Sequence, residues 1–592
     1  MGLKIFEIHD EASHSLRRKN IYALIVLSLL VCSIYSNSLN CSWHFDDWAN
    51  IGDNPNVQLT KGTWDQIQKT LSSNPANPRT PYRPVAALSF ALNYYLGKLR
   101  VGGYHAANIL IHLISSVFLY LFLFNTLRLP SQERRYGSIA YPVALLSTVL
   151  WAANPVQTQA VTYIVQRMTS LAGMFYIMAM YLYLKARTGD GKWRNTLLLV
   201  MCFFSYVLAF GSKENAAILP IALLMFEVLV IQEDPGTFFR KHKWRLALVL
   251  GGTLLLALGY LHVKRGGVLA FLSGYGARPF SLDERLLTEP RVFLFYISLL
   301  LYPVPGRLNI SHTIDISTSL FSPISTFFSL AVIAGMVLFL LAMARKHNLL
   351  SFCGLFFFLN HIMESTVFPL ELIYEHRNYV PSMLFFVPIA ILLWWIYERY
   401  TSKKGMKLVI LSAMALLVVG FGHGTFVRNL AWKSEETLWR DALEKAPNQF
   451  RAHNNLGVYY KNTGYPEKAA THFEKALNRP PMHRRDENLV ILYHLGNLYN
   501  EGGNHGKAEF YYQKILQQNP NFAPALANMA SIHQLRGEKE TADSFLKRAY
   551  RVNANDPHIN MNMGLYHLHD RRPEKALYHF RISMRDKRLE KR

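Results

Sequence analysis

The chain has 592 residues, of which 51% are hydrophobic, 13% aromatic and only 17% charged, with a formal net charge of +24. A soluble protein of this size is not so apolar, and the apolar residues fall in blocks near twenty residues long, each able to cross a hydrocarbon core of about 30 Å as a helix. The positive charge does not argue for nucleic acid as a partner, because much of it sits in short clusters between apolar blocks.

In chain order, residues 1–20 form a cytoplasmic tail ending in Arg17-Arg18-Lys19. The run 21–40 is too long for a signal peptide and lacks a cleavage site, so it reads as a retained signal anchor. Further spans are predicted near 106–126, 138–153, 170–186, 195–211, 216–232, 245–263, 323–343, 349–368, 380–397 and 407–425. Basic clusters at Arg134-Arg135, Lys185 to Arg194, Arg240 to Arg245, Arg345-Lys346 and Arg399 to Lys407 recur after every second span and mark the inner face. Eleven spans from an inner N-terminus leave the C-terminus outside. The apolar segment 284–304 has no basic cluster between it and the next span, so it is expected to lie along the outer interface or re-enter. A membrane domain over 21–430 then has outer segments at 41–105, 154–169, 264–322 and 371–379. The four cysteines, Cys32, Cys41, Cys202 and Cys353, give neither a disulfide framework nor a metal spacing.

Residues 431–592 change to charged, helix-forming sequence with an internal period. Gly457, Gly496, Ala530 and Gly564 occupy one small-residue position at spacings of 39, 34 and 34. Tyr460, Ala469, Phe473, Ala476 and Pro481 follow the first at tetratricopeptide offsets, and the pattern recurs. About four repeats are expected, preceded by a half unit, 435–447, that can cap the stack. Such a solenoid presents a groove that holds an extended peptide.

The unusual polar sequence gathers on the outer side. "FDDW" places Asp46 and Asp47 where the chain leaves the first span. Neighbouring side chains on a turning backbone diverge, so the pair suits a base better than a chelated metal, and no metal site is expected. Arg83, between Pro81 and Pro84, has a stiff backbone and suits a phosphate. His105 and His112, seven apart on one helical face, point to packing. Arg167 precedes one span, and Lys213-Glu214-Asn215 stand at the mouth of another, with the lysine on the side that disfavours it. "ELIYEHRNY" crowds Glu371, Tyr374, Glu375, His376, Arg377, Asn378 and Tyr379 into nine residues. One acid facing several cations suits group transfer from a phosphate-linked lipid, the acid taking the acceptor's proton and the cations stabilising the departing phosphate.

The ordered motifs "FDDWANIGDN", "PYRPVAALSFALNYYLG", "GYHAANILIH", "NPVQTQAVTYIVQR", "GSKEN", "LLYPVPGRLNISH" and "EHRNYVPSM", followed by the repeats, resemble the transmembrane and tetratricopeptide repeat-containing (TMTC) proteins and their bacterial relatives. Those are GT-C glycosyltransferases similar in membrane architecture to protein O-mannosyltransferases. The resemblance implies an all-α polytopic domain of about eleven spans and a polyprenyl-phosphate-linked sugar donor. It implies transfer to Ser or Thr hydroxyls of exported proteins without a required metal or cofactor, the donor being a substrate. The first-loop acid falls on Asp46 or Asp47, with Asp46 preferred. Arg83, Arg167, Lys213 and Arg377 become candidates for the donor phosphate with His376 beside them, and Glu214, Asn215, Glu371, Tyr374 and Glu375 are further active-site candidates.

The repeat array is shorter than in eukaryotic members, and "LNISH" stands where they carry a "DYS" ending. Sugar and acceptor therefore do not transfer. The short basic N-terminus and compact loops point to a bacterial inner membrane with periplasmic repeats, the alternative being the endoplasmic reticulum with lumenal repeats. Two other functions compete: sugar transfer to a lipid or polysaccharide, and a non-enzymatic membrane-anchored scaffold.

Overall fold

The computed structural model describes residues 2–72, 83–232, 270–400, 402–478 and 487–584, with scattered positions between 240 and 259. The predicted span 245–263 therefore falls largely outside the described residues, as does Pro481. The described chain is all-α, with an isolated bridge between Ser319 and Ser322 in place of any strand. It divides into two compact units. Met1–Tyr275 with Phe280–Ala446 form the first, and Pro447–Arg592 with Gly276–Pro279 the second.

The first unit is a helical membrane bundle. Lipid offers no partner for backbone N–H and C=O groups, so long apolar runs must satisfy them within helices. Among the described residues, eight such helices are long and apolar enough to cross: Arg17–Asn40, Val101–Thr126, Pro130–Ala153, Lys192–Ser212, Glu214–Ile231, Ser325–Met343, Pro381–Arg399 and Lys404–Ala431. The predicted span 170–186 lies in the helix Arg167–Thr188, which is longer than four of these but more polar. It buries Arg167, Thr169 and Ser170 among its neighbours, and protein rather than lipid covers its polar positions. Gly173 lets this helix meet Tyr379, since a Cβ there would stand 2.7 Å from the tyrosine ring.

The predicted span 349–368 is shorter than expected. Its helix, Asn348–His361, stops seven residues early. The amides of Glu364 and Ser365 fold back onto the His361 carbonyl. The Arg285 guanidinium collects the carbonyls of Glu364, Thr366 and Leu370, so the turn leaves none of the three without a donor. Arg285 lies in the first turn of the helix Leu282–Leu301, which a Ser281–Glu284 capping box starts. At its other end the Leu300 carbonyl accepts from Asn154 Nδ2 at 3.0 Å. Asn154 and Glu364 follow the C-terminal ends of two helices that both leave basic clusters, so Leu282–Leu301 begins and finishes on one side of the bundle.

The last helix of the first unit is Glu435–Lys445. Asp441 takes Arg428 at 2.6 Å, and Lys445 Nζ donates to the Leu308 carbonyl at 2.6 Å.

The second unit consists of four helix pairs between Phe450 and Ser583. In three of them a glycine meets the aromatic residue sixteen later. A Cβ on Gly457 would stand 2.5 Å from the Phe473 ring, and the rings of Tyr512 and Phe580 crowd Gly496 and Gly564 in the same way. In the third pair the sixteenth residue is Leu546, slimmer than an aromatic ring, and there the small residue is Ala530. The volume across the joint is shared between two positions.

Candidate active site

Three groups of residues build the site, and the first is "HFDDW". Phe45 adopts φ 40°, a left-handed conformation unusual for a bulky residue. The turn sends the two aspartates opposite ways. Asp47 is fully buried. Its two oxygens accept from the amides of His44 at 2.9 Å and Val165 at 2.7 Å. Burial pushes its carboxyl well above the ordinary carboxylate range, and the two amides oppose the rise. His44, also buried, donates from Nε2 to the Trp432 carbonyl at 2.6 Å, and burial lowers its ring to about 4. The loop is thereby riveted to the segments after 161 and 431. Asp46 faces outward and is exposed, with its amide donating to Tyr163 Oη at 2.9 Å. The two carboxylates do not share a site.

The second group supplies cations from two stretches far apart in the chain, at Arg83 and at 213–215. Arg83, at φ 47°, begins the helix Pro84–Gly97. Its Nε meets Glu214 Oε2 at 3.0 Å. Lys213 is buried. Its Nζ lies 2.7 Å from Glu364 Oε1 and 3.1 Å from Thr169 Oγ1. Asn215 Nδ2 donates to the other Glu364 oxygen at 3.2 Å. The two partners of the buried pair shift in the same direction for different reasons. Burial and then Lys213 act in opposite senses on Glu364, and its cationic neighbours win, holding it at about 2. Burial lowers the Lys213 ammonium, with Arg83 and Arg377 adding to the effect and Glu364 offsetting part of it.

The third group is 371–379. Arg377 is buried, and its guanidinium donates to the carbonyls of Leu372 at 2.9 Å and Glu371 at 2.6 Å while lying over the Tyr374 ring. His376 stacks on Tyr374 with ring centroids 5.1 Å apart, and its amide donates to Gln159 Oε1. Burial, then Lys213, Arg377 and Arg83, drive the His376 imidazole well below its usual value, against Glu364. It is a neutral ring among charges. Arg83, Lys213 and Arg377 against Glu214 and Glu364 leave one positive charge in surplus. Tyr163, which holds the Asp46 amide, lies within electrostatic reach of Tyr374. The Tyr163 ring packs on Trp432 with centroids 5.2 Å apart, while Tyr374 and His376 stack beside the cations.

Not every sequence candidate joins this group. Arg167 is 1% exposed and spent on Asn108 Oδ1 at 2.6 Å, Asn93 Oδ1, and the carbonyls of Ser89 and Tyr104. It also stacks over Phe90. Glu375 is buried and takes the Asn309 amide at 2.6 Å and His312 Nε2 at 2.8 Å. Glu371 contributes its carbonyl to Arg377. His105 and His112 are buried and bond carbonyls of Cys41 and Ala152. Reading the sequence missed Glu364, Tyr163, Thr169 and Gln159. Glu364 carried a signal: an acid inside a supposed span costs too much to be left there unused.

With this geometry in place, the chain can be set beside known proteins. Residues 450–481 match the tetratricopeptide repeat model and 495–592 match the TT21 fifth ARM repeats domain. The Drosophila melanogaster protein O-mannosyl-transferase Tmtc3 is 24% identical over 623 residues, covering 92% of this chain and 65% of that protein. The Caenorhabditis elegans protein O-mannosyl-transferase F38B6.6 is 25% identical, covering 79% and 64%. Human protein O-mannosyl-transferase TMTC3 is 24% identical, covering 87% and 57%. The chain is thus similar to these protein O-mannosyl-transferases over most of its own length and spans between 57% and 65% of the length of the three.

Proposed function

From this similarity and this geometry we propose that the chain is a membrane glycosyltransferase that moves a sugar, mannose by analogy with its relatives' names, from a polyprenyl-phosphate-linked donor to Ser or Thr hydroxyls of exported proteins. The observation behind the reading is an exposed acid, Asp46, in a unit that also gathers Arg83, Lys213 and Arg377 about the buried His376.

Asp46 accepts the proton of the acceptor hydroxyl as its oxygen attacks the anomeric carbon. The bond from that carbon to the phosphate oxygen breaks, its electron pair leaves with the phosphate, and the centre inverts. Lys213, Arg83 and Arg377 meet the charge that develops there. His376 stays neutral beside them, and neither Asp47 nor Arg167 takes part in the transfer, both being occupied in holding the loops. No metal is required in this scheme. The repeats bind the acceptor chain outside the membrane, in a bacterial periplasm or the lumen of the endoplasmic reticulum.

The test uses the full chain in lipid nanodiscs with a labelled polyprenyl-phosphate mannose and a Ser/Thr peptide. Asp46→Asn is expected to lower transfer by about 10²–10⁴-fold while the protein stays monodisperse. Undiminished transfer by that variant rejects the mechanism, and absence of transfer by the unaltered chain from any lipid-linked sugar rejects the activity.

A further inference from the structure

Glu364 has no part in the steps above, yet its carboxylate is among the most committed in the site. It is 8% exposed, and one oxygen holds Lys213 while the other holds Asn215. A lysine ammonium has three hydrogens. Glu364 and Thr169 take two of those on Lys213, which leaves the third for a ligand. A buried ammonium without an anion beside it is costly and tends to lose its proton. Glu364 therefore keeps Lys213 charged and aimed while no phosphate is present. Arg83 is paired with Glu214 in the same manner nearer the rim, whereas Arg377 is held through two carbonyls.

The same carboxylate acts in the opposite sense once the sugar has left. The product is a lipid monophosphate, more negative than the donor phosphodiester, and it must share the ammonium with a fixed anion. We propose that Glu364 is a positioning residue that readies Lys213 for the donor phosphate and then competes with the product phosphate for it, so that it governs product release. The inference rests on the reading that Lys213 meets the donor phosphate.

The full chain in nanodiscs with undecaprenyl monophosphate as the product probe tests it. A bound phosphate takes the place of Glu364 as the anion beside Lys213 and restores its charge, so Glu364→Gln is expected to bind the probe about tenfold more tightly, to lower KM for the donor, and to lower kcat as release slows. Glu364→Asp, with the charge kept but one methylene withdrawn, is expected to shift each quantity part of the way. A fall in kcat with KM and probe affinity unchanged overturns the proposal, as does weaker probe binding. If neither variant stays monodisperse, Glu364 is a structural strut and the proposal also fails. Probe affinity is read without turnover, so a chain that transfers no sugar while Glu364→Gln still tightens the probe removes the activity reading and leaves the phosphate site standing.

Discussion

The repeats and the candidate site of the membrane unit both depend on close packing, but they draw their partners from different distances along the chain. In the repeats, Gly457 meets Phe473 and Gly496 meets Tyr512, sixteen residues apart each time. At the candidate site, contacts join residues 117 apart for Asp46 and Tyr163, 131 for Arg83 and Glu214, and 217 for His376 and Gln159. Local contacts repeat and can be varied one joint at a time. The long contacts are single and buried, so removing one strands its partners.

Four substitutions or conditions press on that difference. Arg167→Met leaves two asparagine oxygens without their arginine donor and takes a second donor from two helical carbonyls, and is expected to destabilise the first unit by about 3–5 kcal/mol. Thermal unfolding in detergent reads this. A stable variant that has lost only donor affinity would instead make Arg167 a phosphate ligand. Acid is expected to act next. The carboxyl of Glu364 sits at about 2 rather than 4.5, so its stabilisation is complete above pH 4.5 and is lost as pH falls toward 2. Over the full range this is at most about 3 kcal/mol, less what burying Lys213 costs. Unfolding midpoints compared between pH 5 and 3 should fall more steeply for the unaltered chain than for Glu364→Gln.

In the repeats the effects are smaller and local. Gly496→Val forces a branched side chain against Tyr512 and is expected to cost about 1–3 kcal/mol, seen as faster proteolysis within residues 487–518. Ala530→Gly opens no clash and is expected to cost only about 0.5–1 kcal/mol. Equal effects at the two positions would mean that the small position is not set by its partner sixteen residues on.

The same contrast decides what could be read from sequence. The repeats were legible because periodicity survives without any knowledge of tertiary contacts. The helices were legible from their apolar runs, except where burial in protein admits polar residues, as in Arg167–Thr188, or where an arginine from elsewhere ends the run, as Arg285 does after His361. The site was legible by residue type and not by role. Arg83, Lys213, His376 and Arg377 do come together, while Arg167 matches them in chemistry and is consumed as a brace. Nothing local in the sequence marks which arginine will find four acceptors at distant positions. Glu364 was hidden for the opposite reason, since its apolar neighbours made it look like part of a span.

The backbone of Phe45 leaves a last consequence. Asp46 and Asp47 are the same amino acid, one peptide bond apart, yet one left-handed torsion before them assigns one to water and the other to a sealed socket between two amides. Side chains that start out chemically equivalent become inequivalent through geometry alone. Phe45→Gly, which adopts the same torsion without steric conflict, should preserve that distinction, whereas a β-branched residue at 45 should blur it. The twin acids are then better regarded as a conformational diode, polarised by the residue in front of them, than as a redundant pair.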